Sequence, residues 1–378
     1  MRCESLAQFN AQLTAQREDA SVQELIRDNL DWVFEALAQH PEELQSTCAS
    51  LATRISSTNQ ELTQGLTSLA HGILLPKTFQ CKSFSQMGHR TARQAMEYAI
   101  GQGEKLTYAD FSMTPISNYD LADLAKHCPN LRVLICAGSD ALTGDVLSTL
   151  QAWRKLQVLD ISGCTKLAPN SLRYVSEVPE LKMLLCARCR QFESRSLENL
   201  EHLQGLRELN VQGCVGLSPD ALKSLRHTPL LQKLNISGCN LEPNALQELE
   251  ATAQLENLEM QECKTLSPDA LSHIQPLRGT LRRLNVSLCT QLAKESCQHL
   301  HAFQRLRELE LGYCSQLDLD PLAGLASLEH LSLLRCSQVK RLDFLRAVSL
   351  RTLNVKSCAN IIPEEIESIK SRGVKITK

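Results

Sequence analysis

The residues of this sequence with the most obvious chemistry are its sixteen cysteines, because thiolates bind soft metals and take part in redox reactions. A metal or redox ladder is one interpretation of their regular spacing. The other is structural: a small thiol ends each repeated strand, packs inward and donates a weak hydrogen bond to the turn backbone. One cysteine per period favours the structural interpretation. Nine cysteines share the period, and they are Cys164, Cys189, Cys214, Cys239, Cys263, Cys289, Cys314, Cys336 and Cys358.

Two smaller groups could also bind a metal. Cys186 and Cys189 form a C-x-x-C pair, but no second pair follows at zinc spacing. One short segment contains Cys297, His299 and His301. A half-buried outer helix explains this grouping better than a metal site does. No Walker loop, G-x-S-x-G or H-E-x-x-H motif is present. We therefore predict no catalytic residue, no metal site and no cofactor, and expect that the protein is not an enzyme.

The cysteines belong to a longer phrase, L-x-x-L-x-L-x-x-C-x-x-L. Its alternating leucines predict a short strand with one apolar face, and stacked copies predict a parallel sheet with a continuous leucine core. In the first full unit we expect Gly138 to replace the cysteine, and Phe192 and Val339 replace the following leucine in two others. A degenerate copy precedes them at Leu106. The full copies begin at Leu131, Leu156, Leu181, Leu206, Leu231, Leu255, Leu281, Leu306, Leu328 and Leu350, at steps of 22 to 26 residues.

This phrase resembles the cysteine-containing leucine-rich repeats known chiefly from F-box proteins of ubiquitin ligases. Some secreted effectors of intracellular bacteria carry repeats of this eukaryotic type. The resemblance covers residues 106–378 and implies an α/β fold: a right-handed horseshoe solenoid of ten to eleven units, with a parallel concave sheet and helices outside. It also implies a protein–protein interaction module that binds a macromolecular partner through the concave face.

The second half of each unit returns the chain along the outside of the solenoid. Segments 218–229 and 267–276 begin with Ser-Pro-Asp and continue with leucines and alanines at helical spacing. The two 22-residue units leave room only for a short helix or 3₁₀ turn. Residues 374–377 are expected to add a last strand. The acidic residues of the tail IIPEEIESIKSRGVKITK resemble type IV secretion signals of intracellular bacteria, and a last amphipathic helix explains the same letters.

Residues 1–105 lack the repeat and show apolar residues at helical spacing, which predicts an N-terminal α-helical cap. Such a cap shields the open edge of the first repeat. Alternatively, residues 21–55 resemble an F-box, the hook that holds a Skp-type ubiquitin-ligase adaptor, through VFEAL (33–37) and PEEL (41–44). The protein would then be a substrate receptor of a ubiquitin ligase. A third alternative places catalysis in the N-terminal region and substrate recognition in the repeats.

Outward residues of successive strands predict two columns on the concave face, and solenoids most often bind partners there. The early units place apolar residues in these columns, so either a partner docks on them or the N-terminal region folds over them. The middle and late units are polar and acidic, and two further residues near the strand ends could anchor an interface. The candidate protein-binding residues are Val133, Ile135, Val158, Asp160, Met183, Leu185, Glu208, Asn210, Asn235, Glu259, Arg283, Glu308, Glu310, Tyr313 and Arg335.

The net charge of -2 gives no electrostatic reason to expect nucleic acid or an anionic membrane as the partner. The N-terminus lacks the apolar stretch of a secretory signal, and no apolar run approaches membrane-spanning length. We therefore expect a protein partner, no membrane association, and residence in a reducing cytoplasm, which would be the host cytosol for a secreted bacterial effector.

Overall fold

A computed structural model describes residues 92–217 and 219–378 of the chain. The F-box-like stretch 21–55 and the greater part of the predicted cap lie outside the described residues. The division at residue 105 therefore stays a prediction.

Short parallel strands dominate the described residues. Twelve of them form one sheet in the order β1-β2-β4-β6-β7-β8-β9-β10-β11-β12-β13-β14, and β3 and β5 form a separate parallel pair. The strands are β1 (Tyr108–Asp110), β2 (Val133–Ile135), β3 (Thr143–Gly144), β4 (Val158–Asp160), β5 (Lys166–Leu167), β6 (Met183–Leu185), β7 (Glu208–Asn210), β8 (Lys233–Asn235), β9 (Asn257–Glu259), β10 (Arg283–Asn285), β11 (Glu308–Glu310), β12 (His330–Ser332), β13 (Thr352–Asn354) and β14 (Lys375–Thr377). The large sheet is about 53 Å wide if its eleven spacings are each about 4.8 Å.

Every strand of the large sheet pairs in the same register, with the central residues facing one another. Leu134 pairs with Leu159, and Leu209 pairs with Leu234, for example. These central leucines are buried in one continuous core that runs the length of the described array. The predicted solenoid with a leucine-filled interior and a parallel concave sheet is confirmed.

The outer layer consists mainly of 3₁₀ helices, where the sequence led us to expect ordinary helices. The 3₁₀ helix rises about 2.0 Å per residue instead of about 1.5 Å, so a few residues can span the height of a repeat. The 22-residue units have the short turns that their length predicts. The 3₁₀ helices are Gly103–Lys105, Val146–Ala152, Ser171–Glu177, Ser194–His202, Pro219–His227, Ala245–Ala251, Ala270–Ser272, Gln275–Gly279, Lys294–Leu300, Asp320–Gly324 and Asp343–Leu345.

Three α-helices lie near the two ends of the described array: α1 (Ala92–Gln102), α2 (Asn118–His127) and α3 (Pro363–Ser371). Met96 of α1 belongs to the same core as Leu121 and Leu124 of α2, so α1 adjoins the first repeat. The tail forms the amphipathic helix and last strand that the sequence predicts. Within the described stretches, no helix has the length and apolar character that crossing a bilayer requires.

Candidate interaction surface

The repeated cysteines have the structural role that their period predicts. Each thiol donates to a backbone carbonyl of the preceding repeat, as Cys239 does to Val211 (3.1 Å) and Cys289 to Met260 (3.1 Å). The expectation for the first unit was wrong by one residue. Ser139, not Gly138, occupies the cysteine position: it is fully buried, and its Oγ donates to the carbonyl of Thr114 at 3.0 Å. The position thus requires a small buried donor, which a serine also supplies.

Burial makes these thiols poor ligands and nucleophiles, since the thiolate is the reactive form. Desolvation raises the pKa of Cys214 to about 11 and that of Cys239 to about 12. Cys186 of the C-x-x-C pair is fully buried, and desolvation raises its pKa well above 9.0. Cys297 is also fully buried, and desolvation raises its pKa to about 12. Among the described residues, no three His, Cys, Asp or Glu side chains are grouped as a metal site would require.

The sheet register places the predicted columns on the concave face. One column holds the first residue of each strand, from Val133 through Val158 and Met183 to Glu208. The second holds the third residue of each strand, from Ile135 through Asp160 onward. The candidate residues of the strands therefore do share one surface, and they differ along it in burial and in bonding.

The early apolar residues of the two columns are buried rather than exposed. Their side chains point away from the main core and form a separate cluster in which the exposed fraction is between 1% and 7%. Tyr108 and Ala137 pack beside this cluster. We call it the early patch, and it consists of Val133, Ile135, Val158, Met183 and Leu185. In the described structure it is not offered to solvent.

The asparagines of the second column hold the turns that follow their strands. Asn210 Oδ1 accepts the backbone N–H of Gln212 at 3.0 Å, and Asn235 Oδ1 accepts that of Ser237 at 3.0 Å. Asp160 Oδ1 does the same for the N–H of Ser162 at 2.9 Å. These are Asx turns. We had chosen the three residues as binding candidates, and the structure gives each a local structural role.

A charged network occupies the middle and late strands. Arg283 on β10 donates to Glu259 on β9 at 2.6 Å and also to Glu308 on β11. Glu208 and Lys233 form a looser pair at 3.4 Å. Burial raises the pKa of Glu310, while a hydrogen bond from Ser332 and the charge of Arg283 oppose that rise. Arg283 thus links β10 to the strands on both sides of it. Three carboxylates, those of Glu259, Glu308 and Glu310, surround this one guanidinium.

One residue after each strand of the large sheet except β14 adopts a left-handed backbone conformation, and from Met113 to Arg335 the N–H of this residue donates to a carbonyl of the next repeat. Tyr313 (φ 64°) donates to Leu334 at 2.7 Å, and Arg335 (φ 55°) donates to Lys356 at 2.9 Å. In four early repeats this position is glycine, which adopts the conformation without strain, and in two other early repeats it is Met113 or Arg188. The last five repeats have side chains instead. We call these the strand-end row: Glu262, Leu288, Tyr313, Arg335 and Ser357.

The two candidates in this row contact each other. The Arg335 guanidinium lies 5.5 Å from the centre of the Tyr313 ring, which is cation–π geometry. Sequence reasoning selected these two residues and missed their neighbours Leu288 and Glu262. The signal was present: the residue before the repeat cysteine is glycine in several early repeats and a larger residue in every later one.

Comparison with known proteins gives structural relatives only. No protein-family model matches the chain, and no curated protein matches it. A solved chain of the yeast Rad7 and Elc1 complex superposes with a TM-score of 0.53 and 20% identity, over 86% of this chain and 84% of that one. The leucine-rich-repeat ectodomain of the Arabidopsis thaliana receptor kinase GASSHO1/SCHENGEN3 was solved with CASPARIAN STRIP INTEGRITY FACTOR 2. It superposes with a TM-score of 0.43 and 20% identity, over 70% of this chain and 34% of that one. An internalin, InlF, from Listeria monocytogenes superposes with a TM-score of 0.38 and 16% identity, over 71% of this chain and 95% of that one. With its register, its leucine core and the first of these superpositions, the chain has the fold of a leucine-rich-repeat solenoid.

Proposed function

We propose that the protein is an interaction module that holds another protein on the later part of its concave face. The proposed surface combines the Arg283 network with the strand-end row, and we call it the late face: Arg283, Leu288, Glu308, Glu310, Tyr313 and Arg335. The early patch, Asp160, Asn210 and Asn235 are left out of this surface because they are buried or hold turns. Glu208, Lys233 and Glu259 lie at its margin.

The observation that carries the proposal is the strand-end row. A left-handed conformation costs a residue with a side chain roughly 1–2 kcal/mol, and glycine escapes most of that penalty. Four earlier repeats of the same array use glycine at this position, so the fold does not require a side chain there, although Met113 and Arg188 occupy it in two others. Leu288, Tyr313 and Arg335 therefore point to a use outside the fold, and an aromatic ring with an arginine is the usual composition of an interface anchor.

The test compares the full chain with a variant in which Leu288, Tyr313 and Arg335 are all glycine. Glycine relieves backbone strain and adds chain entropy in the unfolded state, and these effects nearly cancel. We expect the thermal midpoint to change little, while partners recovered by quantitative affinity capture from cytosol fall at least tenfold. The matched control replaces Ser357, the last residue of the row, with glycine and should keep full capture. Equal recovery with the triple variant would refute the late face as the binding surface.

A second candidate makes the repeats the substrate-holding arm of a ubiquitin ligase and gives residues 21–55 to a Skp-type adaptor. It is supported by the F-box-like segments VFEAL and PEEL and by the Rad7 and Elc1 complex, in which a protein of similar fold was solved with a partner. The purified full chain should then bind the adaptor, and Phe34→Ala should abolish that binding. No binding by the full chain would exclude this candidate.

The proposal of a host-directed bacterial effector of the cysteine-containing repeat type has two supports. One is the thiol that follows nine of the strands, and the other is the acidic tail. In the tail, however, Glu367 pairs with Lys370 at 2.8 Å and Glu365 accepts the N–H of Leu342 at 3.3 Å. Two of the acidic side chains thus stabilise the last helix and its contact with the repeats, which favours the structural explanation of the tail.

A further inference from the structure

The early patch is buried, although it lies on the concave side of the sheet. Val133, Val158 and Met183 have exposed fractions of 1%, 3% and 1%. On β7, the next strand, the residues facing the same side are half-buried. Tyr108 and Ala137 pack against the patch, but they belong to β1 and to the turn after β2, so they flank it. Burial on this side of the sheet is therefore nearly complete over β2, β4 and β6 and only partial over β7.

A basic rim borders the patch where its strands begin. Arg132, Lys182 and Arg207 directly precede β2, β6 and β7. Burial lowers the pKa of Lys182, the charges of Arg207 and Arg132 lower it further, and the charge of Glu180 raises it, so three cations and one carboxylate lie close together here. At the other end of the strands, Asp110 and Asp160 accept bonds from their own turns. An occupant that suits this surface is apolar along one side and acidic along the edge facing the rim.

The sequence before α1 contains such a segment. Residues 18–43 hold eight aspartates and glutamates and one arginine. Their apolar residues, Leu25, Ile26, Leu30, Val33, Phe34 and Leu37, recur at helical spacing. We infer that this acidic segment of the same chain lies on the early patch and pairs with the basic rim.

Chain length and position permit this contact. Met96 and Ala99 of α1 pack in the core beside the first repeat, so the preceding chain leaves from the end of the array where the patch lies. The patch spans β2 to β6, and the distance from β1 to β6 is about 14 Å over three strand spacings of about 4.8 Å. Residues 44–91 supply 48 residues of connection, which is ample.

The contact has a consequence for partner binding. Segment 18–43 overlaps the F-box-like residues 21–55, so an adaptor and the early patch would compete for the same side chains. The inference does not depend on the late face, because the two surfaces lie on different strands.

The experiment uses the full chain with a site-specific protease sequence inserted between Ser83 and Phe84. After cleavage, both parts should elute together on size exclusion at low salt. Val158→Glu should weaken their association roughly 10- to 100-fold, since a buried valine is replaced by a charge. Asn257→Glu is the matched control in the same column of the concave face, and it should have no effect. Phe34→Glu should release the N-terminal part without any change in the repeats.

The rim is tested separately. Arg207→Glu should weaken association roughly tenfold and reduce its dependence on salt. Arg351→Glu, at the equivalent position before β13, should leave it unchanged. Circular dichroism and the thermal midpoint of each uncut chain establish that it is folded. Separation of the two wild-type parts, retention by either Val158→Glu or Phe34→Glu, or a patch-dependent dimer in light scattering would each overturn the inference.

Discussion

Native thiol reactivity should separate a structural cysteine ladder from a reactive one. In the folded chain the Cys239 side chain is 1% exposed, and burial raises its pKa from 9.0 to about 12. At pH 8 an ordinary thiol is about one-tenth thiolate, whereas a thiol of pKa 12 is about one ten-thousandth thiolate. The alkylation rate of Cys239 should therefore fall about 1000-fold below that of an unfolded thiol, and lack of access should slow it further.

The assay is a short pulse of iodoacetamide on the native full chain, followed by unfolding, a second isotopic label and mass spectrometry of each cysteine. Cys239 and Cys314 should carry almost only the second label, and the half-buried Cys358 should carry more of the first. A chelator or a reductant should change nothing. If Cys239 reacts within tenfold of its rate in guanidinium, or loses its protection when a chelator is added, the structural explanation of the ladder is wrong.

The same thiols predict how stability depends on pH. Because burial raises the folded-state pKa of the ladder cysteines above 9.0, the native protein keeps its protons when the unfolded chain begins to lose them. Their stabilising contribution is complete below pH 9 and declines as the pH rises toward the folded-state values. The thermal midpoint should accordingly fall between pH 9 and pH 11, and a midpoint that rises over this interval would contradict the assignment.

Further substitutions test packing and charge. Gly216→Ala would bring a Cβ within 2.5 Å of the Phe192 carbonyl oxygen, so the free energy of unfolding should fall by about 1–3 kcal/mol. Gly279→Ala, with no atom within 4 Å of the new Cβ, is the control and should leave the thermal midpoint unchanged or slightly raised. Glu310→Gln should raise the midpoint at pH 7 by about 1–2 °C, because burial raises the pKa of Glu310 and thereby makes its charged form unfavourable. The gain should disappear near pH 3, where Glu310 is protonated in both states, and a gain that persists there would refute this cause.

The sequence predicts the sheet well because the fold repeats one local rule. Leucines at fixed spacing give each strand its inward residue, and equal steps give the register that pairs Leu209 with Leu234. The same regularity predicts the thiol positions. The prediction of Gly138 was wrong although the spacing holds in that unit. Counting from Leu131 reaches Ser139, which occupies the cysteine position but is not a cysteine.

The character of the concave surface was harder to predict. Alternation shows which side of the sheet Val158 and Met183 face, but it says nothing about what lies above them, and burial there depends on distant parts of the chain. Asn210 looked like an outward polar residue, yet its amide is occupied by the following turn. The left-handed conformation of Leu288 is a backbone property that single letters do not reveal. It becomes visible only when equivalent positions of several repeats are compared.

The most direct test of the late face is hydroxyl-radical footprinting of the protein with and without a captured partner. It reports on side chains, so it can distinguish the concave face from the outer 3₁₀ layer. Binding through the late face should protect Leu288 and Tyr313 while leaving the exposed Val215 as reactive as before. Protection confined to outer-layer residues such as His299, with Tyr313 unchanged, would contradict the proposed surface.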